Sequence, residues 1–380
     1  MNEIYAKLNG EVNQALDSAH IPDSTEVEEL VDRSSTLSLS LNELASLFKI
    51  SNGNQGKEQI ENLRSLVHSK FLRGKKPLRH ISPIYISSHC IETCGYCGYS
   101  VNRRGVDRTR LNLSELETEV MAVIAEGSHA IELVLATDPF FSPEVLEKYI
   151  SKTKSLLDKH NGGVALLCSD YFDKEDYKRL KDAGLWGIVQ WDETLDVKKY
   201  RKWHHKSPRK SNFEQRINTH DIALSCGLET ATGCLFGLGN YKYDVLMQIA
   251  KARQLQQKHN KFPFVFGVPR LKPINGKNVH MKDELTDSEY ELALMVYKLS
   301  EPSVGRWLQT RESMALNQRN YLDNDVCTYR CGNVVPGGYS VNKNCGGTQF
   351  KVAEMTRGSF EEGIKSVGLS VCYDWTGGIK

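Results

Sequence analysis

From about residue 80 onward, short β-rich runs alternate with stretches of helical period, and nothing else in the 380-residue sequence restricts its fold as strongly. Alternation of this kind argues for βαβ units and a parallel sheet. The strand candidates are Ile81 to Ser87, Ile131 to Ala136, Val164 to Cys168, Gly187 to Trp191, Glu229 to Leu235, Phe262 to Gly267, Arg306 to Thr310 and a weak last one near Asn333 to Val335. Helical patterns fill the gaps. The first opens at Ser114 with Glu117 three residues later, the pairing of a capping box. Eight such units in about 270 residues match a TIM-type (β/α)8 barrel of the α/β class, whose reacting groups sit at the C-terminal ends of the strands. An open doubly wound sheet would alternate in the same way, but no Gly-x-Gly-x-x-Gly follows the first strand. The expected organisation is a helical N-terminal segment over 1–75, the barrel over 76–350, and a C-terminal segment over 351–380 packing on the barrel.

Composition narrows the function more than the fold. Lys and Arg number 49 against 47 Asp and Glu, a net charge of +2, so there is no global field to recruit nucleic acid or an anionic membrane. No run approaches the ~18 apolar residues of a transmembrane helix. The N-terminus shows no apolar signal stretch, so the expected compartment is the cytoplasm, where thiols stay reduced. Small-molecule chemistry is the default expectation.

Three cysteines in the spacing Cys90-x3-Cys94-x2-Cys97 follow the first strand candidate. Three thiolates hold three irons of a 4Fe-4S cluster and leave the fourth open to a non-protein ligand, which is where chemistry can occur. A structural zinc loop would need a fourth Cys or His, and His89 adjoins Cys90 too directly to chelate the same ion. Cys168, Cys226 and Cys234 read as buried small hydrophobes. Cys327-x3-Cys331-x13-Cys345 could hold a second metal or cluster, or remain reduced structural thiols. Polar pairs end other strands: Thr137 and Asp138 after the second, Asp192 and Glu193 after the fourth, Arg311 and Glu312 after the seventh.

On the cysteine loop, with Tyr96 just before Cys97, the sequence resembles the radical S-adenosylmethionine (SAM) superfamily. More narrowly it is similar to the aromatic amino acid lyases: 2-iminoacetate synthases, tyrosine lyases and tryptophan lyase. The narrower resemblance rests on Pro83-Ile84-Tyr85-Ile86-Ser87, Asp192-Glu193-Thr194 followed by Tyr200, Pro208 with Phe213 and Arg216, Pro269-Arg270-Leu271-Lys272-Pro273, Thr310-Arg311-Glu312-Ser313, Pro336-Gly337-Gly338-Tyr339 and Gln349-Phe350. These strings keep the family's order over roughly residues 60 to 375.

The resemblance implies that Cys90, Cys94 and Cys97 hold the cluster, with SAM at the open iron. Glu193 would accept the SAM ribose or amine. Thr137 and Asp138 stand where the lyases carry a Gly-Glu pair that meets the SAM amino end. A cation of the basic run at 198–206, Arg201 or Lys202, would pair with the SAM carboxylate, the rest of the run being a solvated face and His204 and His205 surface residues. Tyr96 belongs to the catalytic surroundings. Arg311 would clamp the substrate carboxylate, an ion pair with Glu312 being the plainer alternative. The Gly337-Gly338-Tyr339 turn would close the barrel mouth.

The implied activity is a lyase that cleaves the side chain of a free L-amino acid through a 5′-deoxyadenosyl radical. Tyrosine, giving 2-iminoacetate and 4-cresol, stands ahead of tryptophan, and an external one-electron donor of flavodoxin or ferredoxin type is required. The terminal Cys-x-x-Cys extension of the hydrogenase-maturation lyases has no counterpart, so hydrogenase assembly is not expected. Other radical chemistry on an amino acid, or an iron-sulfur electron carrier or sensor that binds no SAM, are the alternatives.

Overall fold

An extended stretch over 78–87 closes the fold. The computed structural model describes residues 3–52, 56–272, 274, 284–341 and 349–375, and ten strands run through them in a single parallel sheet. They are β1 (Leu78–His80), β2 (Ser82–Ser87), β3 (Ala130–Leu135), β4 (Val164–Cys168), β5 (Leu185–Glu193), β6 (Glu229–Cys234), β7 (Val265–Gly267), β8 (Gly305–Leu308), β9 (Val326–Cys327) and β10 (Val371–Cys372). Their spatial order is β10-β1-β9-β8-β7-β6-β5-β4-β3-β2. β1 and β2 are interrupted only at Ile81. β1 pairs with β9 through Arg79 and His80, whereas β2 pairs with β3 from Ser82 onward. One stretch of chain thus joins both ends of the ring, which makes the sheet a TIM-type barrel, with β10 added beside β1.

The helices are α1 (Glu3–Ser18), α2 (Ser24–Arg33), α3 (Leu41–Leu47) and α4 (Gly56–Phe71) before the sheet, then α5 (Leu113–Ala125), α6 (Pro143–Lys159), α7 (Lys174–Asp182), α8 (Val197–His204), α9 (Phe213–Ser225), α10 (Tyr241–His259), α11 (Asp287–Ser300), α12 (Met314–Asn320) and α13 (Arg357–Ser366). Strand residues alternate between two environments. On β3, Ile131, Leu133 and Leu135 meet the helices, while Ala130, Glu132 and Val134 lie on the opposite, inner face. The inner plug consists of Ile81, Ala130, Val164, Leu166, Val189, Val265, Trp307 and Val326. α1 packs on α10, where the Tyr5 hydroxyl donates to the Leu195 carbonyl at 2.5 Å.

Two local expectations need correcting. The eighth ring strand is Val326–Cys327, not the run near Asn333 to Val335. There Gly332, Asn333 and Val334 have φ of 58°, 53° and 52° within a 3-10 turn, values a strand does not allow. The capping box of α5 uses Asn112 and Glu115 rather than Ser114 and Glu117: Asn112 Oδ1 accepts from the amides of Ser114 and Glu115 at 2.9 and 3.0 Å, starting the helix one residue earlier.

Arg306 on β8 and Asp325 just before β9 bind the last two ring strands. Arg306 is 1% exposed; its backbone N–H and Nε both reach Asp325 Oδ1, at 3.0 and 3.1 Å, and its Nη2 donates to the Asn320 carbonyl. Removing one member of such a pair leaves an uncompensated buried charge. Arg306→Met is expected to lower stability by about 3–5 kcal/mol, read as a fall in the urea midpoint, whereas Arg357→Met on exposed α13 should cost well under half of that.

Candidate active site

The chain leaves β2 at Ser87 and enters the cysteine loop, which backbone hydrogen bonds pin on several sides. Ser88 N–H donates to the Thr109 carbonyl and Ile91 N–H to the Thr137 carbonyl, at 3.0 and 3.1 Å. Within the loop, Glu92 is buried, and its carboxylate accepts the amides of Arg209 and Lys210 at 3.3 Å each; Thr93 N–H reaches Ser207 Oγ at 3.2 Å. The amides of Glu92 and Tyr99 point at Cys90 Sγ and Cys97 Sγ, both at 3.4 Å. Cys90, Cys94 and Cys97 are unbridged and line one cavity together with Tyr96, Thr137, Glu193 and Arg311. That cavity opens at the C-terminal ends of the strands and holds about 1240 Å³ of empty space, its mouth included. Among the described residues no three His, Cys, Asp or Glu side chains close around a single ion. A cubane cluster does not require that, since each thiolate binds a different iron.

Facing the loop, β5 ends in a bulge between Trp191 and Glu193, and Glu193 adopts φ 66°. A non-glycine residue holds that conformation only where its surroundings fix it. Here Leu235 N–H donates to its carbonyl at 2.7 Å, Lys210 Nζ lies 2.5 Å from its carboxylate and Arg216 Nη2 3.5 Å. Burial raises the Glu193 carboxyl, but Lys210 and Arg216 outweigh it and hold the group at about 2. Arg216 also donates from Nε to the Trp191 carbonyl at 2.9 Å, and its Nη1 has no partner among the described residues.

Arg201 and Lys202 do not reach this cavity. α8 buries Tyr200 and His204, one turn apart, and so turns Arg201 and Lys202 to solvent; Lys210 and Arg216 supply the cations instead. His204 is not a surface residue: its Nε2 lies 2.7 Å from the Tyr96 hydroxyl and its ring stacks near Tyr200. His205 is exposed. Asp138 lies behind the wall, bonded to Ser87 Oγ at 2.5 Å and to Arg110 Nε and Nη2 at 2.5 and 2.9 Å. Asp192 points outward between sheet and helices, to Lys251 at 2.8 Å.

The third side of the cavity is aromatic. Trp191 lies across Gly233 and Gly267, where a Cβ would fall 2.5 and 2.0 Å from its ring atoms. Trp307 packs beside it, ring centroids 5.7 Å apart. Arg311 stacks on Phe350 with its guanidinium carbon 3.3 Å from the ring centroid, and its buried Nε has no partner among the described residues. Burial lowers its pKa. Glu312 is not its partner: Arg270 Nε and Lys272 Nζ hold that carboxylate, at 2.9 and 2.8 Å. Tyr339 is absent from the cavity wall; its turn is tied to Glu119 of α5 through the amides of Tyr339, Ser340 and Val341. Cys327 faces the helices and Cys331 the cavity side, and Cys345 lies outside the described residues.

The sequence reading missed Lys210 and Glu132. Glu132 lines the cavity from the inner face of β3, and a lone acid in the run Ala-Ile-Glu-Leu-Val-Leu was its visible signal.

Residues 84–252 match the family model described as the Radical SAM superfamily. The chain is 26% identical to 2-iminoacetate synthase of Escherichia coli (strain K12) over 264 residues, 68% of each chain. It is 24% identical to the FeFe-hydrogenase maturase subunit HydE of Thermotoga maritima, over 76% of this chain and 73% of that one. The X-ray structure of the FeFe-hydrogenase maturase HydG from Carboxydothermus hydrogenoformans superposes with a TM-score of 0.82 at 23% identity, covering 98% of this chain and 84% of the other. That superposition shows the shared fold.

Two outcomes follow from the geometry. Because Glu193 is held below its ordinary value of ~4.3, its pairing stabilises the protein fully above pH ~4.5 and loses that contribution as pH falls toward 2. Glu193→Gln should therefore lower the thermal midpoint at pH 6 and flatten its dependence between pH ~4.5 and ~2; an unchanged acid limb would contradict the pairing. Cys94→Ala should abolish the visible iron-sulfur absorbance of anaerobically reconstituted protein.

Proposed function

The chain carries a radical SAM domain, whose family works with a 4Fe-4S cluster and SAM, and we propose that it is a carbon-carbon lyase acting on a free L-amino acid, tyrosine first. The observation that carries this reading is Arg311, whose buried Nε has no partner among the described residues and which lines the same cavity as the three cysteines. A guanidinium so placed suits a carboxylate, which a bidentate contact would orient as well as neutralise.

The residues present fit the two cofactors. Three free thiols with amide donors at their sulfurs suit the cluster, and the orphaned Arg216 Nη1 beside Lys210 suits the SAM carboxylate. Cys90, Cys94 and Cys97 would hold the first; Thr137, Glu193, Lys210 and Arg216 would face the second. When bound, the pair supplies a primary carbon radical by one-electron cleavage of the sulfonium. The protein's own contribution is placement. Arg311 fixes the amino acid by its carboxylate, and Phe350 backs the guanidinium. Trp191, Trp307 and Tyr85 keep water and stray hydrogen donors away from the reacting carbon. A one-electron donor of flavodoxin or ferredoxin type completes the reaction.

The test is anaerobic turnover of reconstituted, reduced protein with SAM and each aromatic amino acid, followed by mass spectrometry. Appearance of 5′-deoxyadenosine with 4-cresol from tyrosine is the expected result. An indole fragment from tryptophan would keep the lyase and change its substrate. Slow 5′-deoxyadenosine release with every amino acid, without fragments, would overturn the lyase. Arg311→Ala should lose about 100-fold or more in fragment formation, as expected for a misplaced substrate, while slow uncoupled cleavage of SAM persists.

A further inference from the structure

Glu132 sits where a carboxyl group is costly. It is 5% exposed, on the inner face of β3 between Ala130 and Val134, and it lines the cavity that also contains Arg311 and the cysteine loop. Trp191, Trp307, Val134 and Cys168 line the same space, with Gln190, Gln309 and Thr328 among its polar residues. The Cys168 thiol near it only partly offsets its burial, and no ion pair reaches it among the described residues. Burial pushes its pKa up to about 8, so at neutral pH it is mostly the uncharged acid. A leucine would fill this position at lower cost if packing were the only requirement, since burying a carboxyl group away from water is destabilising.

We infer that Glu132 is a specificity residue, which reads the far end of an aromatic side chain by a hydrogen-bond exchange and selects a phenol over an apolar ring. The inference rests on the reading of this cavity as an amino acid site. A neutral carboxylic acid offers one O–H donor and one carbonyl acceptor. A phenol hydroxyl is also donor and acceptor, so the two can satisfy each other. An indole N–H can only donate and would use half of that capacity, and a phenyl ring would leave both groups unmet. Sites built to pair with a substrate hydroxyl discriminate strongly against the analogue that lacks it. Arg311 would then hold one end of the substrate and Glu132 the other. Tyr85 lines the same cavity and is influenced electrostatically by both.

Equilibrium binding to the cluster-reconstituted full chain with SAM tests this, using 4-methylphenol and toluene as probes and the fluorescence of the cavity tryptophans as readout. Wild type is expected to hold 4-methylphenol about 10- to 100-fold more tightly than toluene, with Glu132→Leu equalising the two and Glu132→Gln keeping part of the difference. L-Tyrosine and L-phenylalanine should show the same ratio. Equal affinity of wild type for 4-methylphenol and toluene would overturn the inference whichever amino acid the enzyme consumes. If neither amino acid binds but the phenol preference is present and vanishes in Glu132→Leu, the amino acid reading fails and the role of Glu132 stands. The wild-type comparison needs no variant, and iron-sulfur absorbance shows whether each variant is folded.

Discussion

A carboxylate buried at the mouth of the barrel governs the arrangement of everything around it. Glu193 stays ionised only because Lys210 and Arg216 face it. Lys210 in turn is delivered by a segment whose amides are captured by Glu92 inside the cysteine loop. Removing Glu193 would leave Lys210 and Arg216 without an opposing charge in a low-dielectric setting, the situation proteins tolerate least. The left-handed backbone at Glu193 belongs to the same arrangement, because the bulge that ends β5 turns its side chain toward the loop while Asp192 goes outward to Lys251. The cysteine loop, the strand end and the cation-bearing segment are thus one mechanical unit.

The cavity has two unlike walls. One is ionic, built from Glu193, Lys210 and Arg216 beside the cysteines; the other is aromatic, built from Trp191, Trp307, Tyr85 and Phe350, with Arg311 and Glu132 as isolated polar groups. The division suits two ligands of different character: a charged, heavily polar one near the cysteines and one with an apolar body and polar ends across from it. Gly233 and Gly267 make the aromatic wall possible, since any side chain there would collide with Trp191.

Much of the barrel was legible because buried parallel strands leave apolar runs that stand out between helical periods. Seven strand candidates correspond to ring strands. The eighth was misplaced because Val326–Cys327 is two residues long, too short to leave a pattern, whereas Val334-Val335 nearby looks like a strand but begins in left-handed conformation at Val334. The cysteine loop and Arg311 could be found from spacing and position at a strand end. Arg201 and Lys202 could not be separated from Lys210 by sequence, because a basic run does not reveal which residues a helix turns inward. Here the burial of Tyr200 and His204 decided it. Glu132 was legible in principle as an acid on the inner phase of an apolar strand, a position that polar pairs at strand ends do not mark.

The stretch that carries β1 and β2 has a consequence for how the molecule is assembled. Thr328 Oγ1 donates to the Ile81 carbonyl across 247 residues of sequence, so the ring is sealed between segments far apart in the chain. Closing so long a loop is an entropically late event, and contacts of high sequence separation form slowly. The cysteine loop begins directly after that sealing strand. The cysteine loop and the seam of the barrel thus share one continuous stretch of chain, so any shift in the pairing of β1 and β2 is carried directly into the loop.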